Sequence, residues 1–240
     1  MKRIMCLLFG SFLVLGLMTA CRASNKQSDS PVLKGAIDGY QYEIVNDVVQ
    51  IISYANADGE TAVIPEMIAG KPVKALGEDA FYQCKNLRFV TLPQTLTTLK
   101  GCPFYRCYSL QQITIPKNVD SIEGNPFFRC SALENITVDP ENSTFSDVEG
   151  VLFDKEQSVL IAYPEGNLRE TYTVPMTVKK ITIDSFGYHT HLKTLVIRSN
   201  VIDFPEGNMF VFPDDIILYI EPDSAAEKYA EKHGLQYEYL

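Results

Sequence analysis

The chain's 240 residues include 21 basic and 30 acidic side chains. The resulting net charge of −9 repels phosphate backbones and anionic headgroups, and no Lys/Arg cluster interrupts it, so nucleic acid is excluded as an expected partner. A hydrophobic content of 46% against 21% charged is that of a folded protein and not of a disordered tail; tryptophan is absent, so aromatic contacts fall to 13 Tyr and 13 Phe.

Lys2 and Arg3 precede an apolar run from Ile4 to Leu17 and the small-residue stretch Met18-Thr19-Ala20-Cys21, the three regions of a signal peptide. The run is short for a bilayer span, which argues against the alternative of an uncleaved membrane helix. The last four of these residues resemble a bacterial lipobox and depart from it at Met18. That resemblance implies a signal peptide over 1–20, cleavage before Cys21 and acylation of Cys21, with two or more acyl chains holding the chain to the membrane outside the cytoplasm, at the bacterial cell surface. Polar residues from Arg22 onward lack an apolar period and are expected to form a flexible tether over 21–33, with a folded domain over 34–240.

Self-similarity dominates that domain. Leu92-Pro93, Leu96, Leu99, Pro103-Phe104, Cys107, Leu110 and Ile113 recur 23 residues later as Ile115-Pro116, Val119, Ile122, Pro126-Phe127, Cys130, Leu133 and Ile136. The unit before them carries Ile64-Pro65, Val73, Leu76, Ala80-Phe81, Cys84, Leu87 and Val90, with extra residues in a loop containing Gly70 and Pro72. These are three regular repeats over 63–136. Further repeats over 174–222 begin with Val174-Pro175, Val178, Ile181, Ser185-Phe186, His189, Leu192 and Leu195, where His189 replaces the cysteine. Between the blocks an enlarged coil is expected over 137–173, with strands near 150–153 and 159–163.

Leu87-Arg88-Phe89-Val90-Thr91-Leu92 has the L-x-x-L-x-L form of a leucine-rich repeat, and strand alternation turns Val90 and Leu92 inward. The second apolar pair of each unit, such as Val119 and Ile122, suits a turn or short helix that closes the coil. One coil cannot bury its apolar edge alone, but stacked coils can. An N-terminal β-hairpin cap is expected over 34–62, where Tyr40, Tyr42 and Ile44 alternate, as do Val48, Gln50 and Ile52, across Asn46-Asp47. A C-terminal cap is expected over 223–240: a helix started by Asp223 or Ser224, stopped by Gly234, and followed by a strand.

From about Gly35 to Leu240 these residues resemble the bacterial surface leucine-rich-repeat proteins of the BspA type. The resemblance implies a β-rich α/β solenoid, a right-handed superhelix with a parallel β-sheet, a hairpin cap and a helix-strand cap. It also implies adhesion to host matrix, mucosal surfaces or other bacteria, although a chain of few coils is short for extended multivalent adhesion.

No P-loop, HExxH or dinucleotide fingerprint occurs. His189 and His191 offer two metal ligands, yet His189 falls in the cysteine column and an i, i+2 step in extended chain sends the two side chains apart. Cys84, Cys107 and Cys130, spaced by 23, are read with Cys102 as core thiols; a disulfide or zinc stays open because neighbouring coils lie within bridging range, although parallel side-chain directions oppose it. Asp139, Glu141, Asp147 and Glu149 offer paired carboxylates without a partner histidine or nucleophile elbow, and with Asn142 they lack EF-hand spacing, so a solvated loop is expected. No metal, cofactor or catalytic residue is assigned, and no enzyme is expected.

The remaining candidate is the outward face of the parallel sheet, with columns Phe89, Gln112, Asn135, Thr194 and Thr91, Thr114, Thr137, Val196. Phe89 suits a contact anchor, while a solvated threonine ladder that merely favours the strand is the alternative. The expected function is a monomeric, non-catalytic surface module recognising a protein or glycan; the alternative is a structural envelope lipoprotein contacting other envelope proteins.

Overall fold

The structure, a computed structural model, describes residues 32–56, 58–188, 191–211 and 216–240. The expected signal peptide at 1–20, Cys21, most of the tether at 21–33, and His189 lie outside the described residues.

Strands β1 (Leu33–Ile37), β2 (Tyr40–Val45) and β3 (Val48–Tyr54) form an antiparallel meander. Asn46 and Asp47, with φ of 52° and 64°, close the β2–β3 hairpin in the doubly left-handed form whose twist matches the strands. The core-facing side of β3 is Val49 and Ile51, both fully buried, and not the Val48, Gln50, Ile52 set. The reason is that β3 also continues in parallel onto the first coil, where Ile51 stands opposite Leu76.

The first coils supply β4 (Thr61–Val63), β5 (Met67–Ile68), β6 (Lys71–Leu76), β7 (Phe89–Thr91), β8 (Thr98–Leu99), β9 (Gln112–Ile115), β10 (Ser121–Ile122) and β11 (Asn135–Val138). Strands β4, β7, β9 and β11 pair in parallel as the expected sheet. The second apolar pair of each unit, expected to sit in a turn or short helix, instead builds a second parallel ladder, β3-β6-β8-β10, with Leu76, Leu99 and Ile122 in register. Its sequence explains this: β-branched Thr95, Thr97 and Thr98 are poor helix formers. The backbone of this stretch finds partners in the preceding coil, as when Thr97 N–H donates to Lys74 O at 2.9 Å and Lys100 N–H to Leu76 O at 3.0 Å.

Between the two ladders runs a column of stacked rings, with centroids 5.1 Å apart for Phe81–Phe104 and 5.9 Å for Phe104–Phe127. Beside it lie Cys84, Cys107 and Cys130, buried free thiols; Cys107 Sγ–H donates to Phe81 O and Cys130 Sγ–H to Phe104 O, both at 3.1 Å. Cys107 and Cys130 thus tie their coils to the ones before.

The enlarged coil contains β12 (Phe145–Val148), β13 (Val151–Asp154) and β14 (Val159–Ala162), an antiparallel meander. The strands expected near 150–153 and 159–163 are there, but the acidic stretch before them is not simply a solvated loop. Phe145 is buried, and Asp147 Oδ1 accepts Val138 N–H at 2.7 Å. Alternate residues of β13 feed separate cores: Leu152 enters the one shared with the first coils, Val151 and Phe153 the one beyond. Buried Asn142 anchors the coil, donating to Pro116 O and Val119 O and accepting from Thr144 N–H and Phe145 N–H.

The later coils supply β15 (Thr171–Thr173), β16 (Lys180–Ile181), β17 (Thr194–Ile197) and β18 (Ile217–Ile220), ending in α1 (Ala225–His233) and β19 (Gln236–Tyr239). The sheet order is β15-β17-β18-β19, all parallel, while β16 extends the meander beside β14. Ser224 is the N-cap, accepting Glu227 N–H, and Gly234, at φ 66°, ends the helix as expected.

Removing the ring at the centre of the stack leaves a cavity that the neighbouring coils cannot close, so Phe104→Ala is expected to lower unfolding stability by about 3–5 kcal/mol. The exposed Thr114→Ala is expected to change it by under about 1 kcal/mol. Urea denaturation checks both; comparable losses would show that the ring column is not what holds the coils.

Candidate ligand-binding face

On the β4-β7-β9-β11 sheet, inward Ala62, Ile113 and Ile136 are buried, and the alternate residues face outward by strand geometry. Phe89 stands opposite Gln112, and Gln112 opposite Asn135; Thr114 stands opposite Thr137. The structure therefore brings together Phe89, Thr91, Gln112, Thr114, Asn135 and Thr137. It separates Thr194 from them: β17 belongs to the later sheet, where Thr194 pairs with Thr171 and Ile217. Strand β4 lengthens the columns in a way the repeat alignment missed, placing Thr61 opposite Phe89 and Val63 opposite Thr91.

These residues are not equally available. Thr114 and Thr137 hydroxyls hydrogen-bond each other at 2.8 Å, and Thr137 Oγ1–H reaches Ile113 O at 3.2 Å, so this pair behaves as the self-satisfied ladder. Asn135 abuts the enlarged coil, where a Cβ on Gly150 (φ 83°) would meet its side-chain oxygen. Phe89 and Val63 are 38% and 69% exposed, and the Arg88 guanidinium lies 5.4 Å from the Phe89 ring centroid. The accessible apolar ground is thus Val63 and Phe89, bordered by Thr61, Gln112 and Asn135.

A second feature, exposed at Tyr82, half-buried at Tyr105 and buried at Phe128, was not singled out in the sequence, although its signal was present in the Phe-x-x-Cys units. The residue after each core Phe is aromatic, and Tyr82, Tyr105 and Phe128 stack along one edge at 5.5 and 5.9 Å. The next residues, Gln83, Arg106 and Arg129, have φ of 59°, 64° and 63°, and Arg106 lies over Tyr105 at 5.0 Å. At the enlarged coil this edge opens into a recess of about 150 Å³ lined by Tyr108, Arg129, Ser131, Glu165 and Tyr188. The Arg129 guanidinium packs 4.1 Å from the Tyr188 ring centroid and donates to the Tyr188 hydroxyl.

Glu165 is the floor of that recess, only 2% exposed, with Oε1 accepting Arg129 N–H at 2.8 Å. Burial pushes its carboxyl up to about 7, against the pull of the backbone N–H groups of Tyr188 and Arg129 and of the Arg129 charge. Gly187 (φ 45°) packs against it so closely that any side chain there would collide with Glu165 Oε1.

The acidic residues weighed for hydrolysis or calcium are committed elsewhere. Asp139 Oδ1 accepts Glu141 N–H, Glu141 pairs with Lys117 at 3.0 Å, and Glu149 pairs with Arg169 at 3.1 Å. Among the described residues no group of three His, Cys, Asp or Glu is placed to hold a metal, and no helix is long and apolar enough to cross a membrane.

Residues 54–160 match the family model for the BspA type leucine rich repeat region, in six copies. No curated protein matches the chain. Among solved structures, the chain is similar to the pneumococcal vaccine antigen PcpA at 17% identity, covering 79% of this chain and 69% of that one with a TM-score of 0.52. It is also similar to a leucine-rich-repeat protein of T. pallidum at 18% identity, covering 86% and 98% with a TM-score of 0.50. The fold is therefore that of a leucine-rich-repeat β-solenoid closed by one C-terminal helix. The repeats within residues 54–160 are similar to the BspA type.

Because the folded-state value of Glu165 lies above the ordinary 4.5, its contribution to stability is full below pH 4.5 and is lost as pH rises through about 7. The loss is roughly 3 kcal/mol. Glu165→Gln keeps the acceptor for Arg129 N–H but cannot ionise. Denaturant titrations between pH 4.5 and 7.5 are expected to show wild-type stability falling relative to the variant by that amount, and parallel curves would show that the carboxyl is not forced neutral.

Proposed function

We propose that the chain is a non-catalytic recognition module, held outside the bacterial cell by lipid on Cys21, that binds a protein or glycan through the outward face of β4, β7, β9 and β11. Proteins with BspA-type repeats are often surface adhesion or binding proteins, and leucine-rich-repeat solenoids are typically binding modules. The observation that carries the choice of face is Phe89. It is an aromatic ring exposed on a rigid sheet, with Val63 beside its column and the amides of Gln112 and Asn135 in the same row. Aromatic anchors rimmed by adaptable polar groups are the arrangement from which a few side chains supply most of a binding energy. The net charge of −9 favours a neutral or cationic ligand surface over an anionic one.

Binding of the exported chain to arrays of matrix proteins, mucin glycans and bacterial surface extracts tests this reading. Combined Phe89→Ala, Gln112→Ala and Asn135→Ala substitution is expected to weaken a saturable interaction by about tenfold or more while leaving the fold intact. Unchanged affinity would exclude the face. In cells, Cys21→Ser is expected to release the protein from the membrane fraction; retention of the variant there would refute anchoring through this residue.

A further inference from the structure

The recess at the aromatic edge follows from a break in the repeat. Each regular coil places a core ring, an edge aromatic, a residue of positive φ and a cysteine in succession, as in Phe127-Phe128-Arg129-Cys130. In the enlarged coil the core ring is Tyr163, stacked 5.3 Å from Phe186, which lies 23 residues further on. The residues after Tyr163 are Pro164-Glu165-Gly166, and those after Phe186 are Gly187-Tyr188, so two successive coils carry no aromatic at the edge position. Tyr188, one place later, turns back and tilts against Phe128 at 5.5 Å. A ridge of rings thus runs from Tyr82 through Tyr105 to Phe128 and ends at a pit.

Size and chemistry narrow what the pit can hold. At about 150 Å³ it is smaller than the roughly 300–1,000 Å³ that encloses a drug-sized molecule, so it admits a single ring-sized unit with the rest of the ligand outside. Its lining mixes aromatic faces, hydroxyls on Tyr108, Ser131 and Tyr188, the Arg129 guanidinium and the Glu165 carboxyl. The buried Nε–H groups of Arg106 and Arg129 have no hydrogen-bond partner among the described residues. An anion in the pit would face Glu165 and a net charge of −9; a cation would face Arg129. A neutral polyol meets neither penalty, offers donors and acceptors together, and has C–H faces that pack on electron-rich rings. The ring spacing along the ridge is comparable to the advance of one sugar unit in an extended chain.

We propose that this recess binds one neutral pyranose of a glycan, with the adjoining sugars extending toward the half-buried Tyr105 and the exposed Tyr82. The site is distinct from the β4-β7-β9-β11 face and stands whether or not that face binds anything.

The test uses the full chain in a zwitterionic, sugar-free detergent, titrated with cellotetraose, mannotetraose, chitotetraose and lacto-N-tetraose, with sialyllactose and a chitosan oligomer as charged controls. Saturation-transfer NMR and calorimetry are expected to show saturable binding of at least one neutral oligosaccharide with a Kd below about 1 mM. Tyr108→Ala, at a half-exposed ring, and Ser131→Trp, which fills the pit, are each expected to weaken it at least tenfold at unchanged melting temperature, and the Phe89/Gln112/Asn135 alanine variant to leave it unchanged. Should Ser131→Trp fail to fold, Tyr108→Ala carries the decision. Absence of saturation by all four neutral probes, binding of a charged control alone, or wild-type affinity in the folded recess variants would overturn the proposal. Loss of sugar binding in the sheet-face variant would move the site to that face and overturn it as well.

Discussion

Everything in this molecule depends on each coil finding, in the coil beside it, partners for the backbone groups that it buries. A buried N–H left unpaired costs as much as a lost hydrogen bond, and a 23-residue step supplies the partner automatically. Phe81 N–H meets Pro103 O at 2.7 Å and Gln83 N–H meets Tyr105 O at 3.0 Å; one coil later Phe104 N–H meets Pro126 O and Arg106 N–H meets Phe128 O, both at 3.2 Å. Ring stacking and the thiol column are consequences of that register, since a ladder in step places like side chains over like.

Where the step changes, side chains take over from backbone. Phe127 N–H is met by Asn125 Oδ1 at 3.0 Å and Arg129 N–H by Glu165 Oε1 at 2.8 Å, the two positions that in regular coils use the next coil's carbonyls. Asn142 does the same work at the Pro116 turn, and Asn200 repeats it at Pro175, donating to Pro175 O and to Val178 O. Asn125, Asn142, Glu165 and the half-buried Asn200 are therefore substitutes for missing ladder rungs. Glu165 is the costly case: a carboxyl serves as acceptor in a place too dry to ionise it freely, and the same burial that raises its proton affinity makes it the floor of the recess in the aromatic edge.

The architecture was legible because period is legible. Recurring Pro, Phe, Cys and Leu at fixed offsets established the coils, and Ser224 and Gly234 the closing helix, without reference to any tertiary contact. The second parallel ladder was not legible, since two-residue strands such as Thr98–Leu99 leave no alternation to read and owe their pairing wholly to neighbouring coils. Thr194 was placed in the same column as Phe89 by its offset alone, but the β12–β14 meander ends one sheet and a new one begins after it. The ridge of edge aromatics is present in the sequence one residue beyond Phe81, Phe104 and Phe127, but a hydrophobic period marks only the positions that point into the core.

A solenoid that repeated perfectly would present one side chain per column, and its surface would consist of ridges and ladders without concavities. Ladders of like residues tend to satisfy themselves, as Thr114 and Thr137 do. Chemical variety at one point needs residues that the repeat does not dictate, and those arise where the enlarged coil enters: Glu165 in place of a repeat arginine, Pro164 and Gly187 in place of edge aromatics, Gly150 against Asn135. The irregular coil thus has two roles that cannot be separated. It carries the chain from one core to the next through β13, and it breaks the columns on both outer surfaces, so the places most able to distinguish one ligand from another are those where the repeat fails.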